Sequence, residues 1–151
     1  MDETGLQLTP RLIGSLYTEA MLLADEARSY FDRQGREEKD ALEPMLRVGF
    51  SCESLKVTTR LMHVIAWLLT QRAVEAGEIS PALASRPARR LGEAPESDEE
   101  IVARLPAAAQ ALIEASRDLY ARVERLEEAG PEVQPQPSPA RSLLSRLERS
   151  F

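Results

Sequence analysis

Apolar residues in this chain recur with a helical period. Between Thr9 and Phe31, Leu12, Leu16, Leu23, Ala27 and Phe31 fall at near-helical spacing, and Ile13, Tyr17, Ala20 and Ala24 widen the stripe. Thr9-Pro10 is a start signal, with Thr as N-cap and Pro at the first helical position, where its missing N–H costs little. A first helix is predicted over about 9–31, after a flexible arm at residues 1–8. The charged run Asp32–Glu43 follows as a solvated connection, with Gly35 as the expected helix stop. Residues 45–76 then form the most apolar stretch and contain no proline. Their continuous run Leu61–Leu69 is broken only by His63. That run is far short of the roughly 20 residues a bilayer span requires. A long second helix is predicted over 45–76, closed by Gly77.

At 100° per residue this second helix has three sides. Leu46, Phe50, Val57, Leu61, Val64 and Leu68 share one face, and Val48, Leu55, Met62, Ala66, Leu69 and Ala73 the opposite one, with Ile65 between them. Two apolar faces predict neighbours on two sides. The remaining side carries Cys52, Lys56, Thr59, Arg60, His63, Trp67 and Gln71. Trp and Arg are the types that anchor interfaces, so Lys56, Arg60, His63 and Trp67 read as a partner-binding patch or a dimer seam. Glu53, Ser54, Thr58 and Arg72 put further polar groups near the core faces. Such groups must be paired if buried, which points to hydrogen bonds that fix register.

Residues 78–97 hold three prolines and three close arginines, Arg86, Arg89 and Arg90. They read as a crossover with one helical turn at Pro81–Ala84, and the arginines as a solvated loop or as a phosphate or acidic-partner patch. Ser97-Asp98-Glu99-Glu100 has the form of a capping box. Ile101, Leu105, Ala108, Leu112, Leu119, Val123 and Leu126 continue as a helical seam, predicting a third helix over about 98–129. Pro106 lies inside it and predicts a kink or break at Val102–Leu105. Residues 130–139 hold four prolines and read as a disordered linker. Beyond it, Ala140, Leu143, Leu144, Leu147 and Phe151 form one apolar stripe on a short amphipathic segment, 140–151. Leu143, Leu144, Leu147 and Phe151 are candidates for docking in a partner's groove. The pattern as a whole predicts an all-α fold, an antiparallel three-helix bundle at 9–129 with a disordered C-terminal tail at 130–151.

Composition agrees with this picture. The chain has 151 residues, of which 43% are hydrophobic and 29% charged, enough for one domain with a core of its own. A single cysteine allows no internal disulfide, which fits a reducing cytoplasm, and no secretory signal is visible. Net charge is −6, unevenly placed. Residues 1–43 and 96–129 each sum to −5, and residues 44–78 to +1. Two acidic arms flanking a near-neutral helix disfavour a nucleic-acid interface.

Chemistry finds little footing. No metal-ligand, phosphate-loop or dinucleotide pattern occurs. Gly49-Phe50-Ser51-Cys52-Glu53 begins like a nucleophile elbow but lacks the second glycine and the strand–turn–helix setting. Cys52 and His63 are eleven positions apart, about 16 Å along a helix, too far for a dyad or a shared metal. No catalytic residue, metal or cofactor is expected.

Three segments carry a resemblance. SCESLKVTTRLMHVIAWLLTQRAVEAGEIS in the second helix, YTEAMLLADEARSYFD in the first and LIEASRDLYARVERLE in the third resemble the RcdA family of regulators of CtrA degradation. The likeness covers about Tyr17–Glu127. It implies a three-helix bundle that forms homodimers, with a disordered tail. It also implies a cytoplasmic, non-enzymatic adaptor, concentrated at a cell pole, that works with the AAA+ protease ClpXP. Its partners would be ClpX, a response-regulator adaptor and protein cargo. The alternative from the residues is a structural homodimerisation module. The family offers no active-site motif to carry over, so the sites remain those read above.

Overall fold

The computed structural model describes residues 9–130 and, beyond them, Leu147. All regular structure among the described residues is helical: α1 (Pro10–Asp32), α2 (Gln34–Asp40), α3 (Pro44–Glu75), α4 (Pro81–Ala84), α5 (Glu99–Val102) and α6 (Ala107–Ala129), with a 3-10 turn at Pro87–Arg89. A short cap-and-proline device opens three of these helices. Thr9 Oγ1 accepts the Leu12 amide at 3.0 Å, Glu43 Oε1 the Leu46 amide at 3.2 Å and Ser80 Oγ the Leu83 amide at 3.1 Å. In each case proline follows at the first helical position. Gly77, at φ +75°, ends α3, and the Glu78 amide folds back onto the Ala73 carbonyl at 2.9 Å.

The long helices α1, α3 and α6 pack against one another around a single core. α1 contributes Ile13, Leu16, Ala20 and Ala27, α3 Phe50, Val57, Leu61, Val64 and Leu68, and α6 Leu112, Ile113, Leu119, Val123 and Leu126. Tyr17, near the start of α1, lies under the Arg72 guanidinium near the end of α3, 4.7 Å from ring centroid to cation. At the other end of the same pair, Phe31 meets Phe50 edge to face at 5.6 Å.

The structure departs from the sequence expectations at Gly35 and at the N-cap of α5, and it decides between the alternatives left at Pro106. Gly35 does not stop α1. The break falls at Arg33, and Gly35 enters α2, where a Cβ would stand 2.8 Å from the Tyr30 carbonyl oxygen. The glycine is thus a close-approach residue that lets α2 fold back on Tyr30, whose hydroxyl donates to Glu38 Oε1 at 2.5 Å. The third helix is two helices. Of the kink or break expected at Val102–Leu105 it is the break that occurs: α5 ends at Val102, Pro106 stands at the N-cap position of α6, and Val102 and Leu105, both ahead of the proline, stay buried. The N-cap of α5 is Asp98, whose Oδ1 accepts the Glu100 and Ile101 amides, and not Ser97. Gly49 gives α5 its seat, since a Cβ there would lie 2.6 Å from Ile101 Cγ2. The glycine and serine of the elbow-like stretch both lie within α3, in a continuous helix rather than a strand–turn–helix setting.

Candidate interaction surfaces

The third side of α3 is not an open surface. Arg60 and Trp67 are only 3% and 4% exposed. The connection from Ser85 to Asp98 crosses over them as a strap, and polar side chains of α3 and α6 fasten it. Arg60 Nη2 donates to Ser97 Oγ at 2.7 Å and to the Pro95 carbonyl at 3.4 Å, while Nη1 donates to Ser116 Oγ on α6 at 3.2 Å. Glu53 Oε2 accepts the Asp98 amide at 3.0 Å and Lys56 Nζ at 2.9 Å. From α6, Glu127 Oε2 accepts the Leu91 amide at 2.6 Å and the Tyr120 hydroxyl donates to the Gly92 carbonyl at 2.6 Å. An extended strap has no ladder partner, so these side chains supply the bonds its backbone needs.

This corrects the sequence reading of Lys56, Arg60, His63 and Trp67 as a docking face. Arg60 is a buried clamp, Trp67 is buried beneath the strap, His63 is half-buried against Gly92 of the strap, and Lys56 is half-buried beside Glu53. Periodicity could place the four on one side but carried no sign that residues 85–98 would lie over them. The signal that was available is Glu53 and Arg60 themselves, two charges close to apolar faces that needed fixed partners. Burial by itself would raise the Glu53 carboxyl. Hydrogen bonds from Ser97, the Asp98 amide and Lys56 outweigh it and hold the group below its ordinary range. Burial pulls the Arg60 guanidinium down, with the charge of Glu53 acting against it.

Under the strap a cavity of about 300 Å³ remains. His63, Ala66, Trp67 and Thr70 of α3 form one wall, and Ala88, Arg89, Arg90 and Gly92 the other. Gly92 presses on the imidazole so closely that a Cβ would come within 2.7 Å of His63 Nδ1, and this nitrogen is buried without a partner.

The second feature is the side of α3 turned away from the core. Met45, Val48, Leu55, Met62 and Leu69 are 73, 61, 67, 64 and 47% exposed, and Cys52 and Ala66 are exposed with them. Both long neighbours of α3, α1 and α6, therefore lie on its core side, and none of the described residues covers this opposite apolar face. Positions 45, 48, 52, 55, 59, 62, 66, 69 and 73 carry Met, Val, Cys, Leu, Thr, Met, Ala, Leu and Ala. They alternate by three and four without a break, the 3.5-residue repeat of a coiled-coil seam. At 1.5 Å per residue the stripe is about 42 Å long. Isolated exposed apolar residues are commonplace, but a contiguous stripe marks an interaction surface.

The tail candidates Leu143, Leu144 and Phe151 lie outside the described residues. Leu147 is helical and 51% exposed. Among the described residues no group of His, Cys, Asp and Glu could hold a metal, and no helix is long and apolar enough to cross a membrane.

The fold is a helical bundle with a strapped central helix and an exposed apolar stripe along it. Comparison with known proteins gives the family. Residues 5–151 match the family described as Protein of unknown function (DUF1465), the RcdA family domain. The chain is also similar to the crystal structure of RcdA from Caulobacter crescentus CB15. The two are 33% identical, with a TM-score of 0.65, over 81% of this chain and 92% of the other. The chain belongs to the RcdA family. A search of curated proteins finds no match.

Proposed function

We propose that this protein is a non-catalytic adaptor that helps deliver regulatory proteins to the ClpXP protease, binding a response-regulator partner and cargo. The observation that carries the reading is the likeness to RcdA at 33% identity across most of both chains. Its long helices α1, α3 and α6 are read as the antiparallel bundle that the resemblance implies, acting in the cytoplasm without an active site. The working unit in this reading is a homodimer. The exposed 3.5-period stripe on α3 supports that part independently, because a second copy presents the same stripe and a two-fold pairing would cover both. The same stripe favours the second reading, a dimerisation module with no protease role.

Reconstituted proteolysis separates the two. Purified ClpXP, a single-domain response regulator and a candidate cargo are incubated with and without this protein, and cargo loss is followed. Acceleration that depends on the protein is the expected result. Unchanged degradation, together with no retention of the folded protein on immobilised ClpX with or without the regulator, would leave the dimerisation module.

A further inference from the structure

The uncovered stripe on α3 has an internal order that bears on what covers it. Extended by one step to Ala76, the exposed C-cap of α3, it holds ten positions over more than four heptads, and none of them is charged. Met45 and Val48 stand at its start. Small and large residues then alternate as Cys52, Leu55, Thr59, Met62, Ala66 and Leu69, and Ala73 and Ala76 close it. One end is bulky, the other small, and the middle alternates in step.

A two-fold axis can pair two such helices parallel or antiparallel. Parallel pairing in register sets each residue against itself. Met45, Leu55, Met62 and Leu69 would be doubled in their layers, while Ala66, Ala73 and Ala76 would each face only alanine. The large layers would hold the helices apart and leave voids at the small ones. Antiparallel pairing sets one heptad position against the other. With the axis midway between Thr59 and Met62, the layers become Met45 with Ala76, Val48 with Ala73, Cys52 with Leu69, Leu55 with Ala66 and Thr59 with Met62, each repeated beyond the axis. Every layer then joins a larger to a smaller side chain, which lets the two rows interdigitate at a near-constant helix separation. Slipping one copy by a heptad either leaves Met45 and Val48 outside the seam or sets Met45 against Leu69. An order complementary to its own reverse points to a second copy rather than to an unrelated helix.

We propose that two copies of this chain pair antiparallel along α3, with Leu55 of each copy packed on Ala66 of the other and Cys52 on Leu69. This deepens the homodimer part of the functional reading and rests on it; nothing in it depends on ClpXP.

Cys52 is the only cysteine in the chain, so thiol cross-linking reads the pairing directly. Leu69 is 47% exposed and outside the buried core, so Leu69→Cys should fold, which unchanged far-ultraviolet dichroism checks. Positions 52 and 69 of one chain lie about 25 Å apart along α3, beyond the reach of bis-maleimidoethane, so a cross-link joins two chains. Wild type, Leu69→Cys, and Leu69→Cys combined with Cys52→Ser are treated with this reagent at micromolar concentration. Covalent dimer is read on denaturing gels, with sedimentation equilibrium of the untreated proteins alongside. Leu69→Cys should give covalent dimer in at least tenfold higher yield than the other two, whose single thiols stand about 25 Å apart across an antiparallel seam. Val48→Cys with Ala73→Cys in a Cys52→Ser background repeats the test at a second layer. Efficient cross-linking of the two single-thiol proteins would mean a parallel seam and overturn the proposal. Dimers that sediment as such but do not cross-link at either layer would overturn it and leave the homodimer with a seam elsewhere. A monomeric wild type would overturn both, and delivery to the protease would still be decided by the proteolysis assay.

Discussion

Arg60 shows how one residue can settle the character of a surface. It sits among apolar neighbours on α3, and three of its hydrogen bonds end on Ser116, Ser97 and Pro95, on two other segments. Truncating a buried, hydrogen-bonded charge leaves its partners unsatisfied. Arg60→Ala should therefore cost about 3 kcal/mol of stability, with Arg60→Lys losing less, as read from urea denaturation midpoints. A loss within a few tenths of a kcal/mol for the alanine variant would mean the clamp is not formed in solution. Glu53 makes a separate prediction about pH. Its folded carboxyl lies below the ordinary value of 4.5, so over the interval between the two values the unfolded chain binds the extra proton and stability rises with pH. The contribution is complete above the unfolded value and is lost as pH falls through the folded one. Glu53→Gln should be less stable than wild type at neutral pH and lose less between about pH 5 and 3. Parallel stability curves for the two proteins would contradict this.

At the scale of elements, what the sequence made legible and what it hid have physical reasons. Helical period and cap chemistry are local, so the positions of Thr9-Pro10, Gly77 and the Pro106 break could be read directly from neighbouring residues. Packing of non-local segments could not. Gly35 looks like a stop in isolation, and only the return of α2 onto Tyr30 gives it a different task. Trp67 and Arg60 looked open because periodicity gives the side of a helix but not what covers it. Leu55 and Met62 looked covered because an apolar face implies a neighbour, and the described residues supply none. The arithmetic of the stripe nevertheless yields a test. Leu55 and Met62 are one heptad apart at its centre, lie outside the buried core and are more than half exposed. Leu55→Lys with Met62→Lys should leave helicity and the unfolding midpoint nearly unchanged while shifting sedimentation equilibrium at micromolar concentration from dimer to monomer. A wild-type protein that is already monomeric would remove the stripe's assignment to a second copy. A double variant that stays dimeric would place the seam elsewhere.

For the whole molecule, the division of labour between core and tail is the remaining question. The core is closed within the described body. Its buried side chains run from Ile13 on α1 to Leu126 on α6, and Glu127 and Tyr120 complete the strap before α6 ends at Ala129. None of these contacts needs a residue beyond Gly130. Residues 130–139, with four prolines and little hydrophobicity, are poorly suited to core packing, and Leu147 is half exposed. Deleting the chain after Gly130 should therefore shift the thermal midpoint by no more than about 2 °C, the scale of a few tenths of a kcal/mol in a domain of this size. The same deletion separates two roles for the stripe of Leu143, Leu144, Leu147 and Phe151. If that stripe docks in a partner's groove, the truncated protein keeps its stability and its oligomeric state and loses partner retention in the pull-down. If it packs on the bundle instead, the midpoint falls by several degrees whatever happens to the partner. Running the thermal scan and the pull-down on one preparation decides between them, because an unfolded or weakened bundle would lose both and a docking segment only the second.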